Sequence, residues 1–263
     1  MSVKTENYGY GKNWTDLYID EYEGSVSLMS DYHKHDYYEL SLILSGEVRV
    51  LMPGISSVGS CARVVLSPPG TPHYVTCTGS TLYKRINIVF SKNLLSDEKA
   101  EGGVTEVDSA TAEKLFGIIK GIEREEGREG KIILLTYLLF KVRELSGRST
   151  GAGAPRYVTD ALLYIKEHHT EKFTAEILAH TVGVGRTTLM TGFKAHVGMS
   201  LGEYITRYRT GVAAKLIGGG ESCARAAELS GFSDGAGMIR AFKREFGLTP
   251  SKYLKFLREN RTF

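Results

Sequence analysis

Cysteine is scarce in this chain: three residues among 263, Cys61, Cys77 and Cys223, form neither an even disulfide set nor a CxxC pair. That excludes a disulfide-stapled scaffold and leaves reduced thiols as the expectation. No run approaches the roughly 18 consecutive apolar residues of a membrane span. The opening stretch MSVKTENYGYGKNW lacks the apolar core of a signal peptide, so neither export nor membrane insertion is expected and the cytoplasm is the expected location. Nor is there the excess of charge over apolar residues that keeps chains disordered: 42% of residues are hydrophobic and 24% charged, ordinary for a globular protein of two domains. Charge of one sign is nearly absent overall, at a formal +3, but it is unevenly spread. Residues 156–263 hold 16 Lys and Arg against 10 Asp and Glu, whereas residues 1–155 hold 17 against 20. The second half is the one suited to phosphate contact.

That basic half contains the same passage twice. FKAHVGMSLGEYI from Phe193 aligns with FKREFGLTPSKYL from Phe242 at an offset of 49 residues, pairing Phe193 with Phe242, Lys194 with Lys243, Gly198 with Gly247, Ser200 with Thr249 and Tyr204 with Tyr253. Upstream of each copy, ILAHTVGV and RAAELSGF carry matching alanines, Ala179 and Ala227, and a glycine, Gly183 or Gly231, that ends a short helix. Each unit reads helix, glycine turn, helix. The second helices bury Leu189 with Phe193, and Met238 with Phe242. They leave outward Arg186, Thr187, Met190, Thr191 and Lys194 in one copy and Ile239, Arg240, Lys243 and Arg244 in the other. Such a polar, basic face can enter a major groove or can be a solvated surface. Between the copies a capping box, Ser200 with Glu203, opens the helical run EYITRYRTGVAAKLI, which could hold the units rigidly apart. Recognition helices about 34 Å apart meet successive major-groove turns on one DNA face.

The run from about Pro155 to Phe263 resembles the DNA-binding domain of the AraC/XylS family of bacterial transcription regulators. GFSD with FKREFGLTPSKY, Gly231 to Tyr253, carries the resemblance. It departs at Gly235, Ala236 and Gly237, where the family has longer residues; two helix glycines cost about 1 kcal/mol each against alanine. Gly185 stands where a serine cap is common, and Thr191 where many members have arginine. The resemblance implies a homodimer acting on double-stranded DNA at the nucleoid, responsive to an effector, with RNA polymerase as a partner if it activates. Base contact is expected from Arg186, Thr187, Met190 and Thr191 in one groove and from Ile239 and Arg240 in the next. Lys194, Lys243 and Arg244 are expected at phosphates.

Residues 1 to about 100 read as short strands between glycine and proline turns. ELSLILSGEVRVLMPG alternates through Leu40, Leu42 and Leu44, turns at Ser45 and Gly46, and alternates again through Val48, Val50 and Met52, a predicted hairpin. ARVVLSPPGTPHYVTC and LYKRINIVF add strands around Pro68, Pro69 and Gly70. His33, His35 and Glu39 share parity, so a regular strand would turn them to one face. HxHxxxE and PxGxxH, the latter ending at His73, resemble the two motifs of the cupin barrel, although Ser27 and Ala62 replace the opening glycines and Cys77 an asparagine. The resemblance implies a metal set of His33, His35, Glu39 and His73. Three readings of these residues stay open: a divalent transition-metal site, an effector pocket for a sugar or similar metabolite with Tyr38 as well as Tyr37 and Tyr74 on its walls, or packing at the barrel end with no ligand.

Two helical patterns follow, from Ser109 and from Lys131, the second with a stripe of Ile132, Leu135, Leu138, Leu139, Val142 and Leu145. They would cover the Leu40, Leu42 and Leu44 face; by family resemblance the second also pairs two subunits. SGRSTGAGAP then reads as a linker. The fold class is α+β multidomain: a cupin-like barrel over 1–105, a helical dimerisation segment over 106–147, a linker over 148–155 and an all-α double helix-turn-helix over 156–263. The function expected is an effector-responsive transcription regulator, probed against one alternative, a metal-dependent cupin enzyme fused to a DNA-binding tail. No catalytic residues are assigned.

Overall fold

The computed structural model describes residues 16–24, 32–77, 82–94, 101–145 and 153–259. Of the expected linker, residues 148–152 lie outside the described residues, as does Ser27. The chain divides into two compact units, one extending to Gly153 and the other comprising Ala154 onward together with Tyr32.

Among the described residues the first unit holds eight strands: β1 (Leu17–Gly24), β2 (Tyr38–Ser45), β3 (Val48–Met52), β4 (Ile55–Gly59), β5 (Arg63–Ser67), β6 (Tyr74–Cys77), β7 (Tyr83–Phe90) and β8 (Gly103–Glu106). They form two antiparallel sheets, in the orders β1-β7-β2-β5-β8 and β4-β3-β6. The alternating run from Glu39 to Met52 is therefore not a hairpin. β2 and β3 belong to different sheets, and Gly46, at φ +101°, turns the chain from one to the other. β5 and β6, on either side of the Pro68–Pro69–Gly70 turn, are likewise divided between the sheets. Alternation reports which face is buried, and two sheets facing each other bury inward faces just as the arms of a hairpin do. Among the described residues no ladder joins the sheets into a ring. Their interior is closed by side chains: Ile43 and Val65 of the larger sheet meet Val48, Val50, Met52 and Cys77 of the smaller.

The other face of the larger sheet carries Tyr38, Leu40, Leu42, Ile86, Ile88 and Phe90. It is covered by α1 (Ser109–Arg124) through Leu115, Ile119 and Ile122 and by α2 (Arg128–Leu145) through Leu135, Leu138 and Val142. The face of Leu40 and Leu42 thus has the cover that its hydrophobicity demands. The side chain of Asp108 accepts from the Thr111 amide at 2.7 Å and caps α1. The apolar stripe on α2 is used inside this core, with Ile132, Leu139 and Leu145 at its margin. A second row stays outside: Ile133, Tyr137 and Phe140 are 68%, 48% and 54% exposed.

The second unit is helical: α3 (Arg156–His168), α4 (Ala175–Thr181), α5 (Arg186–Val197), α6 (Leu201–Gly218), α7 (Cys223–Leu229), α8 (Gly235–Phe246) and α9 (Pro250–Glu259). The internal repeat reappears in atomic detail. Phe193 meets Tyr204 at 5.5 Å and 73°, and Phe242 meets Tyr253 at 5.2 Å and 72°. The paired glycines Gly183 and Gly231, and Gly198 and Gly247, all have positive φ, closing the turn within each unit and the helix after it. α6 carries the expected capping box, with Ser200 and Glu203 each bonding the other's backbone amide. It also fastens both neighbours: Arg207 binds Glu245 of α8 with two nitrogens, at 2.6 and 2.7 Å, and Arg209 donates to the carbonyls of His169 and Glu171, at 2.7 and 2.9 Å. Among the described residues no helix is long and apolar enough to cross a membrane.

Candidate functional site

α5 and α8 each follow a short helix and a glycine turn, and each buries one row of side chains: Leu189, Phe193 and Val197 on α5, Met238, Ala241 and Phe242 on α8. Helical periodicity then forces the rest outward. Arg186, Thr187, Thr191 and Lys194 are exposed and Met190 is half-buried; on α8 Ile239, Arg240, Lys243 and Arg244 are exposed. The offset of 49 superposes Thr187 on Ala236, Met190 on Ile239, Thr191 on Arg240 and Lys194 on Lys243. All nine residues singled out from the sequence therefore lie on the open faces of the two repeated helices. Ala236, exposed in the register of Thr187, belongs to the same face; the repeat offset would have found it.

The two helices begin differently. Asp234 accepts from the Gly237 amide at 2.6 Å, a side-chain cap that steadies a first turn containing Gly235 and Gly237. That backbone hydrogen bond holds the Asp234 carboxyl below its ordinary range. α5 starts at Gly185 with no side-chain cap, and Arg186 instead reaches Glu176 of α4 at 2.7 Å. Both partners are more than 60% exposed, so this ion pair exchanges readily for another anion.

In the first unit a different group of side chains converges. His33 and His73 exchange both backbone hydrogen bonds, at 3.0 and 2.8 Å, in an isolated antiparallel bridge. That bridge sets their rings 4.4 Å apart. His33 and His35 precede β2 rather than continuing it, so the bridge, and not strand parity, brings them to Glu39. One ligand-capable atom from each of His33, His35, Glu39 and His73 lies within 4.8 Å of the others. His35 Nδ1 lies 2.9 Å from the Tyr37 carbonyl and His73 Nδ1 3.0 Å from the Thr71 carbonyl. A carbonyl only accepts, so each Nδ1 carries a proton and each Nε2 faces the cluster. His35 Nε2 is 3.1 Å from Glu39 Oε2; His73 Nε2, at 3.6 Å, is too far for a hydrogen bond. Asn87 Nδ2 donates to Glu39 Oε1 at 3.1 Å, and Tyr37 stacks flat on His35 at 3.8 Å. Burial works to raise the Glu39 carboxyl, but the imidazoles of His35, His73 and His33 outweigh it and hold the group well below the usual carboxylate range.

Tyr38 does not join this group. Its neighbours on β2 alternate, and Tyr38 falls on the opposite face of the sheet, buried and stacked on Phe90 at 5.1 Å in the core beneath the helices. Asn87 is a further member of the group that the sequence does not single out. Its signal was a lone amide inside the apolar strand LYKRINIVF, but the contact with Glu39 spans 48 positions.

Residues 178–255 match a family described as a helix-turn-helix domain. Over 112 residues the chain is 36% identical to an AraC-like transcription regulator from Streptomyces lividans, covering 42% of this chain and 36% of the relative. Over its helix-turn-helix half the chain is similar to AraC-like transcription regulators. It spans little more than a third of the length of that relative and of its Streptomyces antibioticus counterpart. The raffinose operon transcriptional regulatory protein RafR of Pediococcus pentosaceus is similar over nearly the whole length, 23% identical across 95% of this chain and 89% of RafR. These relatives are named as regulators of transcription. Among solved structures, ToxT from Vibrio cholerae aligns over 92% of this chain and 99% of its own at 16% identity and a TM-score of 0.43, a likeness too distant to carry an argument.

Proposed function

We propose that this chain is a sequence-specific DNA-binding transcription regulator of the AraC/XylS type that reads two successive major grooves with α5 and α8. The observation that carries the reading is the equivalence of the two open helix faces. Thr187, Met190, Thr191 and Lys194 stand in register with Ala236, Ile239, Arg240 and Lys243, each on the second helix of a helix-turn-helix unit tied to α6. Arg240 supplies the bidentate donor suited to guanine, while Met190, Thr187 and Ile239 suit thymine methyls. Lys194, Lys243 and Arg244 neutralise phosphates.

The first unit then supplies control. An effector, a metabolite of the sugar class or a metal ion, binds there and alters how the DNA-binding units of a homodimer meet their half-sites. It does so only through its differential affinity for the two arrangements. The exposed row of Ile133, Tyr137 and Phe140 on α2 is the surface a second copy would cover, and RNA polymerase is the further partner if the bound dimer activates.

Selection of bound duplexes from a randomised pool tests the reading. The wild-type chain should enrich two motifs one helical turn apart. Arg240→Ala should relax preference at a single base pair, at a cost of about 1 to 3 kcal/mol to the preferred sequence. Enrichment of no sequence, or an unchanged ranking of sites with Arg240→Ala, would remove the base-reading role.

A further inference from the structure

We propose that Arg209 is a positioning residue that sets the separation of the two DNA-reading helices. The inference rests on the two-groove reading of α5 and α8, and one arm of its test uses protein without DNA, so the two fail separately. α6 joins the repeats, and its two ends belong to different cores. Tyr204 meets Phe193 of the first repeat, whereas Ala213, Ala214 and Ile217 pack with Ala226, Ala227, Met238 and Phe242 of the second. The stretch between them is prone to bend. Thr206 and Thr210 donate their hydroxyls to the carbonyls four residues back, Gly202 and Thr206, each at 2.8 Å, a bond that weakens and tilts a helix. Gly211 follows, where an added Cβ would meet nothing beyond its own helix within 4 Å. Such a helix holds its ends at a fixed angle only if something beside it resists bending.

Arg209 supplies that resistance. Its Nε donates to the His169 carbonyl at 2.7 Å and its Nη2 to the Glu171 carbonyl at 2.9 Å, so one forked guanidinium grips the turn between α3 and α4. The turn is also held from within: His169 Nδ1 donates to the Lys166 carbonyl at 2.9 Å, and the ring meets Tyr208 edge-on at 5.2 Å. The same turn abuts the second repeat. Gly231, between α7 and α8, comes so close that an added Cβ would collide with the His169 carbonyl oxygen. That Cβ would also stand 2.8 Å from Thr170 Cα and 3.0 Å from Arg209 Nε. The entry turn of the first repeat, the guanidinium and the inner turn of the second are therefore stacked in direct contact. They form a second connection between the repeats, alongside α6 and across its weak stretch, and close-packed groups of this kind transmit strain. Arg207, bound to Glu245, steadies α8 on α6; Arg209 is the arginine placed between the repeats.

Two measurements test this. In the first, nitroxide labels at Thr191→Cys and Arg240→Cys report the distance between α5 and α8 by pulsed electron spin resonance in DNA-free, full-length protein. Cys61→Ser and Cys223→Ser remove the accessible native thiols, and dilution with unlabelled chains isolates the distance within one chain. The expected result is one narrow distance with Arg209 present and a broad or displaced one with Arg209→Ala. Arg209→Lys should give an intermediate width, because a single ammonium lacks the fork that spans both carbonyls. In the second, affinity is measured for duplexes carrying the two selected motifs at their native spacing and with one base pair added or removed. The wild type should lose about tenfold with either change, the scale of one mismatched base pair, and Arg209→Ala less than about threefold. A ratio between duplexes does not depend on how much protein is folded, so an arginine that merely stabilised the unit would leave it unchanged. If Arg209→Ala fails to fold, Arg209→Lys carries both measurements. A distance distribution that the Arg209 variants leave unchanged overturns the proposal, as does a spacing penalty that they leave intact. A wild type indifferent to spacing removes the two-groove reading, and the width of the distance distribution then decides the role of Arg209.

Discussion

Thr191 and Arg240 occupy the same place in the two repeats but offer DNA different chemistry, a hydroxyl and methyl in one and a planar five-donor fork in the other. The second groove is therefore expected to carry the sharper guanine preference. Lys194 and Lys243, also equivalent, offer charge without a fixed geometry. Lys194→Ala should weaken all duplexes alike and flatten the dependence of log affinity on log salt by about one unit, measured by fluorescence anisotropy across a salt series. A loss confined to one sequence would reassign that lysine to base reading. Asp234 adds a pH effect. Its carboxyl is held down by the Gly237 amide, so the folded-state pKa lies below the unfolded one. The stabilisation is complete above the unfolded value and is lost as pH falls through the folded value. Asp234→Asn keeps the cap and should remove that share of the acid-side decline in the thermal midpoint; an unchanged pH profile would show the cap to be unimportant. The places of residues are legible in the sequence where a repeat or a motif fixes them: His73 stands in the cluster with Glu39 and Arg240 on the open face of α8. Tyr38 is the exception: it shares parity with Leu40 rather than with Glu39 and lies on the opposite face accordingly.

The elements of the second half are legible because two copies constrain each other: the turn glycines Gly183 and Gly231 recur after 48 residues and the aromatic pairs after 49, while the capping box between the copies marks the start of α6. The strands are not, because period two reports a buried face and says nothing of which strand lies alongside. Hence Glu39 to Met52 reads as a hairpin although β2 pairs with β5 and β7 and β3 with β4 and β6. On α2 the apolar residues read as one stripe, whereas only three dimensions separate the core row from Ile133, Tyr137 and Phe140. Two glycines distinguish constraint from permissiveness. At Gly231, φ is +83° and an added Cβ would strike the backbone of His169 and Thr170, while at Gly211, within α6, it would meet nothing. Gly211→Ala should stabilise by about 0.5 to 1 kcal/mol and Gly231→Ala should destabilise by more than about 1 kcal/mol in denaturant unfolding. The same sign at both positions would contradict this packing.

At the scale of the whole molecule, the surplus of six positive charges in residues 156–263 coincides with the repeated units, whereas residues 1–155 are net acidic by three. Polyanion affinity should accordingly reside in the second unit, and the first should neither bind nor be drawn to DNA. The His33, His35, Glu39 and His73 cluster and the open faces of α5 and α8 lie in different units of one chain, an arrangement in which a ligand bound by one can govern the other only if it favours one arrangement of the pair. The central claim, that one chain reads two successive grooves, is tested most directly by hydroxyl-radical footprinting of the wild-type protein on its selected duplex, beside α5 and α8 variants carrying Lys194→Ala and Arg240→Ala. The account predicts two protected patches per chain on one face of the duplex, about 10 base pairs apart, each weakened by the variant of its own helix. A single patch, or two patches that respond alike to both variants, would contradict it.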